Sequence, residues 1–220
     1  MATREKIKLT SYNELLGVNN DMISEIDINK LHQFKDHPFS VVDNEKMFEL
    51  AKSIENNGIL SPLLVRPLNN GEYEIISGHR RKRACEIVGK EKVSAIIKDI
   101  SHEEAIPLMV DANFQREDTL PSEKAKAYKM KMEALAHQGK SSDEMSSAKQ
   151  IGQLAGISDR QVQRYIRLTE LIPELSKLVD DKQITFVLGV EISFLKTEYQ
   201  QLIYENICKG KKVSKDNVRI

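Results

Sequence analysis

Tryptophan is absent from this 220-residue sequence, and only 5% of its residues are aromatic. Cysteine is almost as scarce, because Cys85 and Cys208 are the only two and lie far apart in apolar helical segments. Two isolated cysteines form neither a disulfide framework nor the paired spacing of a structural zinc site. This scarcity excludes the small disulfide-rich secreted class and suits a reducing compartment.

Long apolar runs are also lacking. The longest apolar region, residues 184–195, is interrupted by Glu191 and Ser193, whereas a membrane-spanning helix needs about 20 apolar residues. The first residues do not have the apolar core of a signal peptide. We therefore expect a cytoplasmic protein that makes no contact with a membrane.

Net charge is absent too, since 33 basic and 33 acidic residues cancel. No overall field draws such a chain onto nucleic acid. The charges are unevenly distributed, however: residues 78–98 hold seven Lys or Arg against two Glu, and residues 209–219 hold five against one Asp. Local patches of this kind are able to meet phosphates although the total charge is zero.

Strand and helix patterns alternate up to residue 98 and predict a small α/β domain. Asp43 or Asn44 is expected to cap a helix that Gly58 ends. Four segments have the apolar patterns of strands, with a turn signal at residues 69–71 before the third of them: residues 26–31, 59–67, 72–76 and 93–98.

One stretch of this half has the pattern of an anion-binding turn. The apolar run at residues 73–76 stops at Ser77-Gly78, and Arg80, Arg81, Lys82 and Arg83 follow at the start of a predicted helix. Glycine lets a backbone approach a ligand closely, and the N–H groups of a helix start favour anions. The pattern predicts a phosphate cradle, and the alternative is a basic first turn that is merely solvated.

Beyond residue 100 the strand patterns stop and helices follow one another. Residues 103–110 and 119–138 predict two helices, before a polar linker at residues 139–146. The block Asn113-Phe114-Gln115-Arg116 lies between these helices and is by itself a loop, although its amide and guanidinium groups suit a phosphate or a hydrated metal.

Two further short helices are joined by Gly156-Ile157-Ser158, which is the arrangement of a helix-turn-helix; an ordinary helical hairpin is the alternative. The expected apolar stripes are Ala148, Ile151, Leu154 and Ala155 on the first helix and Val162, Tyr165, Ile166 and Thr169 on the second. The exposed front would consist of Asp159, Arg160, Gln161, Gln163 and Arg164. Arg and Gln side chains pair bidentately with base edges, while Gln150 and Ser158 are expected to reach phosphates.

In combination these stretches resemble the ParB partition proteins. Three blocks carry the resemblance in order, residues 58–66, 78–84 and 113–125, and the helix-turn-helix follows at the distance that the family uses. The resemblance covers roughly residues 25–195. It implies an α+β chain with four parts: a flexible N-terminal arm (1–24), a nucleotide-binding domain (25–118), a helical DNA-binding domain (119–209) and a basic tail or start of a linker (210–220).

By this resemblance the chain would bind CTP with Mg²⁺. Its nucleotide-binding residues would be Gly78, His79, Arg80, Arg81, Asn113, Gln115 and Arg116, with Asn113 near the metal. His79 and Ala112 stand where the family usually has glutamate. A carboxylate beside a triphosphate helps to hold magnesium or to position water, so we expect CTP binding with little or no hydrolysis.

The resemblance also implies partners. The family reads a short palindromic, centromere-like site in double-stranded DNA, and nucleotide binding closes a homodimer as a clamp around the DNA. A ParA-type ATPase would contact the N-terminal arm, and the protein would be found on the nucleoid or on a plasmid. The family's usual C-terminal dimerisation domain does not follow before Ile220, so we expect either a shortened chain or another mode of dimerisation.

Two other classes of function stay open at this point. One is a sequence-specific transcriptional regulator whose nucleotide pocket is vestigial. The other is an enzyme of the sulfiredoxin or nuclease type. A sulfiredoxin-like turn needs a thiol where this chain has Gly78, and Cys85 is expected to be an inert core residue. A nuclease needs clustered carboxylates, which the sequence near the basic turn does not offer.

Overall fold

A computed structural model describes residues 23–114, 119–137, 144–211 and 213–214 of the chain. The predicted N-terminal arm therefore lies almost entirely outside the described residues, as do Gln115, Arg116 and most of the predicted polar linker. The chain divides into two compact units. Within the described residues, the first unit comprises residues 23–34 and 41–101, and the second comprises residues 35–40 and 102–214.

The first unit is built on a mixed five-stranded sheet. Its strands are β1 (Ile23–Asp27), β2 (Leu31–His32), β3 (Leu63–Pro67), β4 (Tyr73–Ser77) and β5 (Lys92–Ile97). They lie in the order β1-β5-β3-β4-β2. The pairs β1/β5 and β3/β4 are antiparallel, and the pairs β3/β5 and β2/β4 are parallel. The first three residues of the central strand β3, Leu63, Leu64 and Val65, are apolar and buried without alternation, as expected where a strand is covered on both faces.

Two helices pack on this sheet. Helix α1 (Glu45–Asn57) begins where the Asn44 side chain accepts a hydrogen bond from the backbone N–H of Met47, at 3.1 Å. It ends at Gly58, as the sequence predicts, because glycine adopts the left-handed φ of 71° there. Helix α2 (His79–Ile87) contributes Ala84 and Cys85 to the buried cluster that includes the inner faces of α1 and of the strands.

Some predicted boundaries in this unit are wrong. Residues 26–31 do not form one strand, because a 3-10 turn at Ile28–Lys30 separates β1 from β2. That turn lets Ile28 and Leu31 both enter the core, which an uninterrupted strand would prevent by alternating its side chains. The strand predicted from residue 59 begins only at Leu63. Ile23 and Ser24, assigned to the arm, belong to β1 and pair with β5.

The described part of the second unit is helical, which confirms the predicted α+β class for the chain. Its helices are α3 (His102–Asp111), α4 (Pro121–His137), α5 (Glu144–Ala155), α6 (Asp159–Arg167), a 3-10 turn (Leu168–Glu170), α7 (Pro173–Asp180), α8 (Phe186–Ile192) and α9 (Thr197–Cys208). None of the helices in the described ranges is long and apolar enough to cross a membrane.

The compact units divide at Ser101, so α3 is in the second unit. The functional boundary at residue 118 stays a prediction.

Apolar clusters join the helices in the described part of the second unit. One joins α4 to the segment from Leu168 to Ile192, and another joins α4 to the inner faces of α5 and α6. Ala148, Ile151 and Val162 are completely buried in the latter, as their stripes predict. Leu154 is the exception: it is 57% exposed, because it lies three residues beyond Ile151 on the flank of α5 rather than on the face that meets α6.

Candidate functional site

The predicted phosphate cradle is a turn with little room for side chains. Strand β4 ends at Ser77, and Gly78 turns the chain into α2 with a left-handed φ of 108°. A Cβ atom at Gly78 would lie 2.8 Å from Leu63 Cγ, which is closer than real Cβ contacts allow. No side chain caps α2. The first turn of this helix thus offers backbone N–H groups that the helix itself does not use, in a setting that suits an anion.

The cations that follow Gly78 differ in their surroundings. Lys82 forms an ion pair with Glu86 at 2.8 Å, and Arg83 forms one with Asp43 at 2.6 Å. The hydrogen bond from Arg83 lowers the pKa of Asp43 and holds this exposed carboxylate in its charged form. Both cations are therefore already balanced by carboxylates of the first unit.

Arg81 has a structural partner. Its guanidinium donates to the carbonyl oxygen of Pro62 at 2.6 Å and also to that of Ser61. These bonds fix the loop before β3 against the start of α2. Arg80 differs from its three neighbours, because its side chain makes no hydrogen bond or ion pair with any residue in the described ranges. Within those ranges, Arg80 is the cation of this turn that remains available to an external anion.

His79 has a contact that the sequence did not reveal, whereas Cys85 is the buried core residue that the sequence predicts. The Nε2 atom of His79 accepts a long hydrogen bond, 3.4 Å, from the backbone N–H of Phe34, which requires this nitrogen to be unprotonated. Cys85 is completely buried, and burial raises the pKa of its thiol. A buried thiol of raised pKa is a poor nucleophile, so Cys85 gives no support to the sulfiredoxin-like alternative.

Of the second predicted block, only Asn113 and Phe114 lie within the described residues. Asn113 belongs to the second unit, just beyond α3, and its amide nitrogen donates to the carbonyl oxygen of Met109 at 2.8 Å. This bond orients the side-chain amide. Ala112 continues the helical hydrogen bonding of α3 with a bond to Leu108, at 3.0 Å.

The loop at Asn113 is anchored by its neighbour Phe114. The Phe114 ring lies 5.6 Å from that of Tyr128, and Tyr128 lies 5.5 Å from Tyr165 in α6. Lys131 lies over the Phe114 ring, and its buried ammonium group forms an ion pair with the half-buried Asp111. Burial raises the pKa of Asp111 and lowers that of Lys131, and the pairing opposes both shifts. The loop is thus held by the same aromatic core that supports α6.

Helices α5 and α6 are joined as the sequence predicts. Ser158 caps α6, because its Oγ atom accepts from the backbone N–H of Gln161 at 3.2 Å. Gly152 also contributes to this turn, because a Cβ atom there would lie 2.6 Å from the carbonyl oxygen of Ile157. Glycine at this position of α5 lets the turn fold back closely and fixes the position at which α6 begins.

The residues predicted to contact DNA bases lie together along α6. Arg160, Gln163 and Arg164 are exposed, and their side chains make no hydrogen bond or ion pair with the residues that the structure describes. Gln161 is half-buried, while Gln150 is exposed on α5. Ser158 is exposed, but its hydroxyl group already serves the helix cap. The structure thus brings together a surface of Arg and Gln side chains that is free to meet another molecule.

Sequence reasoning missed the residues that fix the far end of α6. Arg167 donates to the carbonyl oxygen of Ser193 at 2.7 Å, with its guanidinium 4.3 Å from the centre of the Phe194 ring. Gln200 is only 2% exposed and bonds the backbone of Glu170, Ile172 and Leu195 at 2.9–3.1 Å. The sequence feature that was available is a glutamine in the amphipathic helix α9. Its spacing does not identify its hydrogen-bond partners.

No group of three or more His, Cys, Asp or Glu side chains in the described ranges is arranged to hold a metal ion. The nuclease-like alternative therefore gains no support from this part of the chain. The predicted metal contact of Asn113 and the nucleotide contacts of Gln115 and Arg116 stay predictions.

Comparisons with known proteins agree with the fold. A family model described as the ParB N-terminal domain matches residues 12–114. The nucleoid occlusion protein of Oceanobacillus iheyensis is 30% identical over 205 residues, covering 92% of this chain and 68% of that protein. The chromosome-partitioning protein Spo0J of Thermus thermophilus is 38% identical over 141 residues, covering 64% of this chain and 48% of that protein.

A crystal structure shows the same fold. It contains the C-terminally truncated chromosome-partitioning protein ParB from Caulobacter crescentus, complexed to the centromeric parS site. Its TM-score is 0.55 at 24% identity, and the match covers 89% of this chain and 96% of that one. The chain also spans only 60 to 66% of the length of nucleoid occlusion proteins from Listeria monocytogenes that it matches.

The sequence blocks, the fold of both units and these relatives agree with one another and confirm the family predicted from the sequence. The chain belongs to the ParB family.

Proposed function

We propose that this chain is a nucleotide-regulated DNA-binding protein, which reads a palindromic, centromere-like site through α5 and α6 and binds CTP at the basic turn before α2. The exposed surface of α6 is the observation that carries the proposal. Arg160, Gln163 and Arg164 are matched in length and chemistry to base edges, and none of them is engaged by the described residues.

The nucleotide part of the proposal is supported by the turn at Gly78. An uncapped helix start, a glycine with no room for a side chain and the available Arg80 together suit a phosphate group. The choice of CTP among nucleotides rests on the family resemblance. So do the contributions of Asn113, Gln115 and Arg116, and the Mg²⁺ ion that would accompany the triphosphate near Asn113.

Several further features of the proposal also rest on the resemblance. These are a homodimer that closes as a clamp around DNA, a ParA-type ATPase that binds the N-terminal arm, and location on the nucleoid or on a plasmid. The named relatives divide between nucleoid occlusion and chromosome partitioning. A genome-wide occupancy profile separates the modes of binding: sharp palindromic peaks flanked by spread protein indicate a sliding clamp, and sharp peaks alone indicate a repressor.

Two substitutions test whether the two sites are separate. We expect Arg80→Ala to abolish the heat of CTP binding with magnesium but to leave the first encounter with DNA unchanged. Arg164→Ala should weaken specific DNA binding by about 1–3 kcal/mol and leave CTP binding intact. Isothermal titration with CTP and ATP, and fluorescence anisotropy with a cognate and a scrambled duplex, measure the two activities.

Arg83→Ala is the matched control for Arg80→Ala. It removes an arginine of the same helix that is already paired with Asp43, and we expect it to leave CTP binding nearly unchanged. Equal damage to both activities from Arg80→Ala and Arg164→Ala would contradict separate sites. We also expect slow phosphate release, because His79 and Ala112 lack the carboxylates that the family usually has; release as fast as in active family members would contradict this.

The second candidate is a DNA-binding regulator with a vestigial nucleotide pocket. One observation favours it: Arg81, a predicted phosphate ligand, is committed to the carbonyl oxygens of Ser61 and Pro62. The titration separates the candidates, since absence of heat with either nucleotide, both with and without cognate DNA, would support the regulator.

A further inference from the structure

A small cavity with both polar and apolar side chains in its wall lies in the second unit beside Asn113. It has a volume of about 80 Å³, well above the roughly 10–15 Å³ that a single water needs. Its wall includes Phe39, Asn113, Thr119, Lys124, Tyr128 and Tyr165. The wall therefore combines an amide, three hydroxyl-bearing side chains and one lysine with other aromatic and apolar residues.

Lys124 differs from Lys129 and Lys131, two lysines further along α4. Lys129 forms an ion pair with Glu170 at 3.5 Å, and Lys131 forms one with Asp111. Lys124 is half-buried on the first turn of the helix, and its side chain has no hydrogen bond or ion pair with the residues in the described ranges. A partly desolvated cation of this kind favours an anionic partner.

Two carboxylates of the second unit, those of Glu123 and Asp111, already accept hydrogen bonds. Glu123 accepts hydrogen bonds from the backbone N–H groups of Ser40 and Leu120, at 2.7 and 3.1 Å, and also from the Ser40 hydroxyl. Asp111 accepts from Lys131. Neither acid lines the cavity, and Lys124 is the charged side chain in its wall.

We infer that Lys124 is an additional phosphate-binding residue, which acts with Asn113 on the nucleotide. This inference rests on the proposed function, because it assigns Asn113 to the nucleotide site. Lys124 stands at the start of α4, where the helix dipole adds to the attraction for an anion. Its ammonium group donates up to three hydrogen bonds without a fixed geometry. It is therefore suited to a phosphate whose remaining oxygens are held by other groups.

The test compares Lys124→Gln with Lys126→Gln, which changes an exposed lysine of the same helix that lies outside this cavity. Titration with CTP, CDP and CMP in the presence of magnesium measures the affinities. We expect Lys124→Gln to weaken CTP binding about tenfold, as for loss of one charge-assisted hydrogen bond, and to weaken CMP binding less. Lys126→Gln should change neither affinity.

Two further measurements complete the experiment. Lys124→Arg should restore most of the CTP affinity, and the affinity for cognate DNA should be the same in all these variants. Equal losses from both Gln variants would overturn the inference, because they indicate only long-range charge. A loss of DNA affinity with unchanged CTP binding would also overturn it, since Lys124 would then be a DNA contact.

The experiment also distinguishes failure of the proposed function from failure of the inference about Lys124. If wild-type protein binds no CTP, the nucleotide part of the proposed function fails, and the inference fails with it. If Arg80→Ala abolishes CTP binding but Lys124→Gln leaves it unchanged, the proposed function stands and only the inference about Lys124 is overturned.

Discussion

Helices α2 and α6 both begin at polar surfaces, but their starts are built in opposite ways. Helix α2 follows Gly78, which has no side chain to cap it. Helix α6 follows Ser158, whose hydroxyl accepts from Gln161, while Asp159 accepts from the N–H of Arg160 at 2.8 Å. The first turn of α2 thus leaves its backbone donors for another group, whereas α6 satisfies its own.

This difference separates two kinds of recognition. An uncapped helix start attracts a compact anion through its backbone, so the position of the backbone matters most at α2. A capped helix offers its side chains instead, and α6 presents Arg160, Gln163 and Arg164 along the exposed face. The first arrangement suits a phosphate group, and the second suits the edges of several bases.

The largest expected effect comes from Gly78→Ala. Alanine is strained at a φ of 108°, which costs about 1–3 kcal/mol, and its Cβ atom would also overlap Leu63. We expect a lower free energy of unfolding, measured with urea, together with loss of CTP binding and little change in the affinity for DNA.

Gly71→Ala is the control for this substitution. Gly71 also has a positive φ, 78°, but a Cβ atom there would have no heavy atom within 4 Å. The Gly71→Ala variant should therefore be destabilised only by backbone strain, and it should still bind CTP. If the two variants lose equal stability, the close approach at Gly78 is unimportant.

Ser158→Ala should have an intermediate effect. It removes the cap of α6, and the loss of such a cap costs about 1 kcal/mol. We expect the affinity for cognate DNA to fall more than the affinity for a scrambled duplex, because the first turn of α6 frays. Fluorescence anisotropy with both duplexes measures this ratio.

Thr185→Ala provides the comparison at another helix. Thr185 caps α8 by accepting from the N–H of Leu188, at 3.2 Å. Its removal should cost similar stability without changing the ratio of specific to non-specific binding. A similar drop in that ratio would mean that general destabilisation, rather than the start of α6, determines specificity.

The effect that is smallest at neutral pH concerns Tyr128, which supports α6 through its contact with Tyr165. Burial raises the pKa of Tyr128 to about 12, from an ordinary value of 10.0. Above pH 10 the unfolded chain loses this proton while the folded chain keeps it, so stability should fall as the pH rises from 10 towards 12. Tyr128→Phe should make urea unfolding less dependent on pH in this range and remove the late step from a spectroscopic tyrosine titration. An unchanged pH dependence would show that the tyrosine hydroxyl is accessible to water.

Local patterns predicted much of the fold because local physics determines them. Asn44 and Gly58 mark the ends of α1, and Ser158 marks the start of α6, because capping acts within a few residues. The strand at residues 26–31 was predicted wrongly, since alternation alone does not reveal a 3-10 turn whose residues Ile28 and Leu31 both enter the core. Leu154 was misplaced for a related reason, as spacing along a helix does not establish how wide its buried face is.

The candidate sites also combine features that the sequence specifies with features that depend on the fold. The sequence by itself determined the chemistry of the basic turn, the Arg and Gln side chains of α6 and the family to which they belong. Only the tertiary structure decided which of these groups have partners: Arg81 binds carbonyl oxygens and Arg83 binds Asp43, while Arg80 has no partner among the described residues. The physical reason is that the sequence specifies the type of each side chain directly. Whether that side chain is available to a ligand depends on atoms that the fold brings from distant positions along the chain.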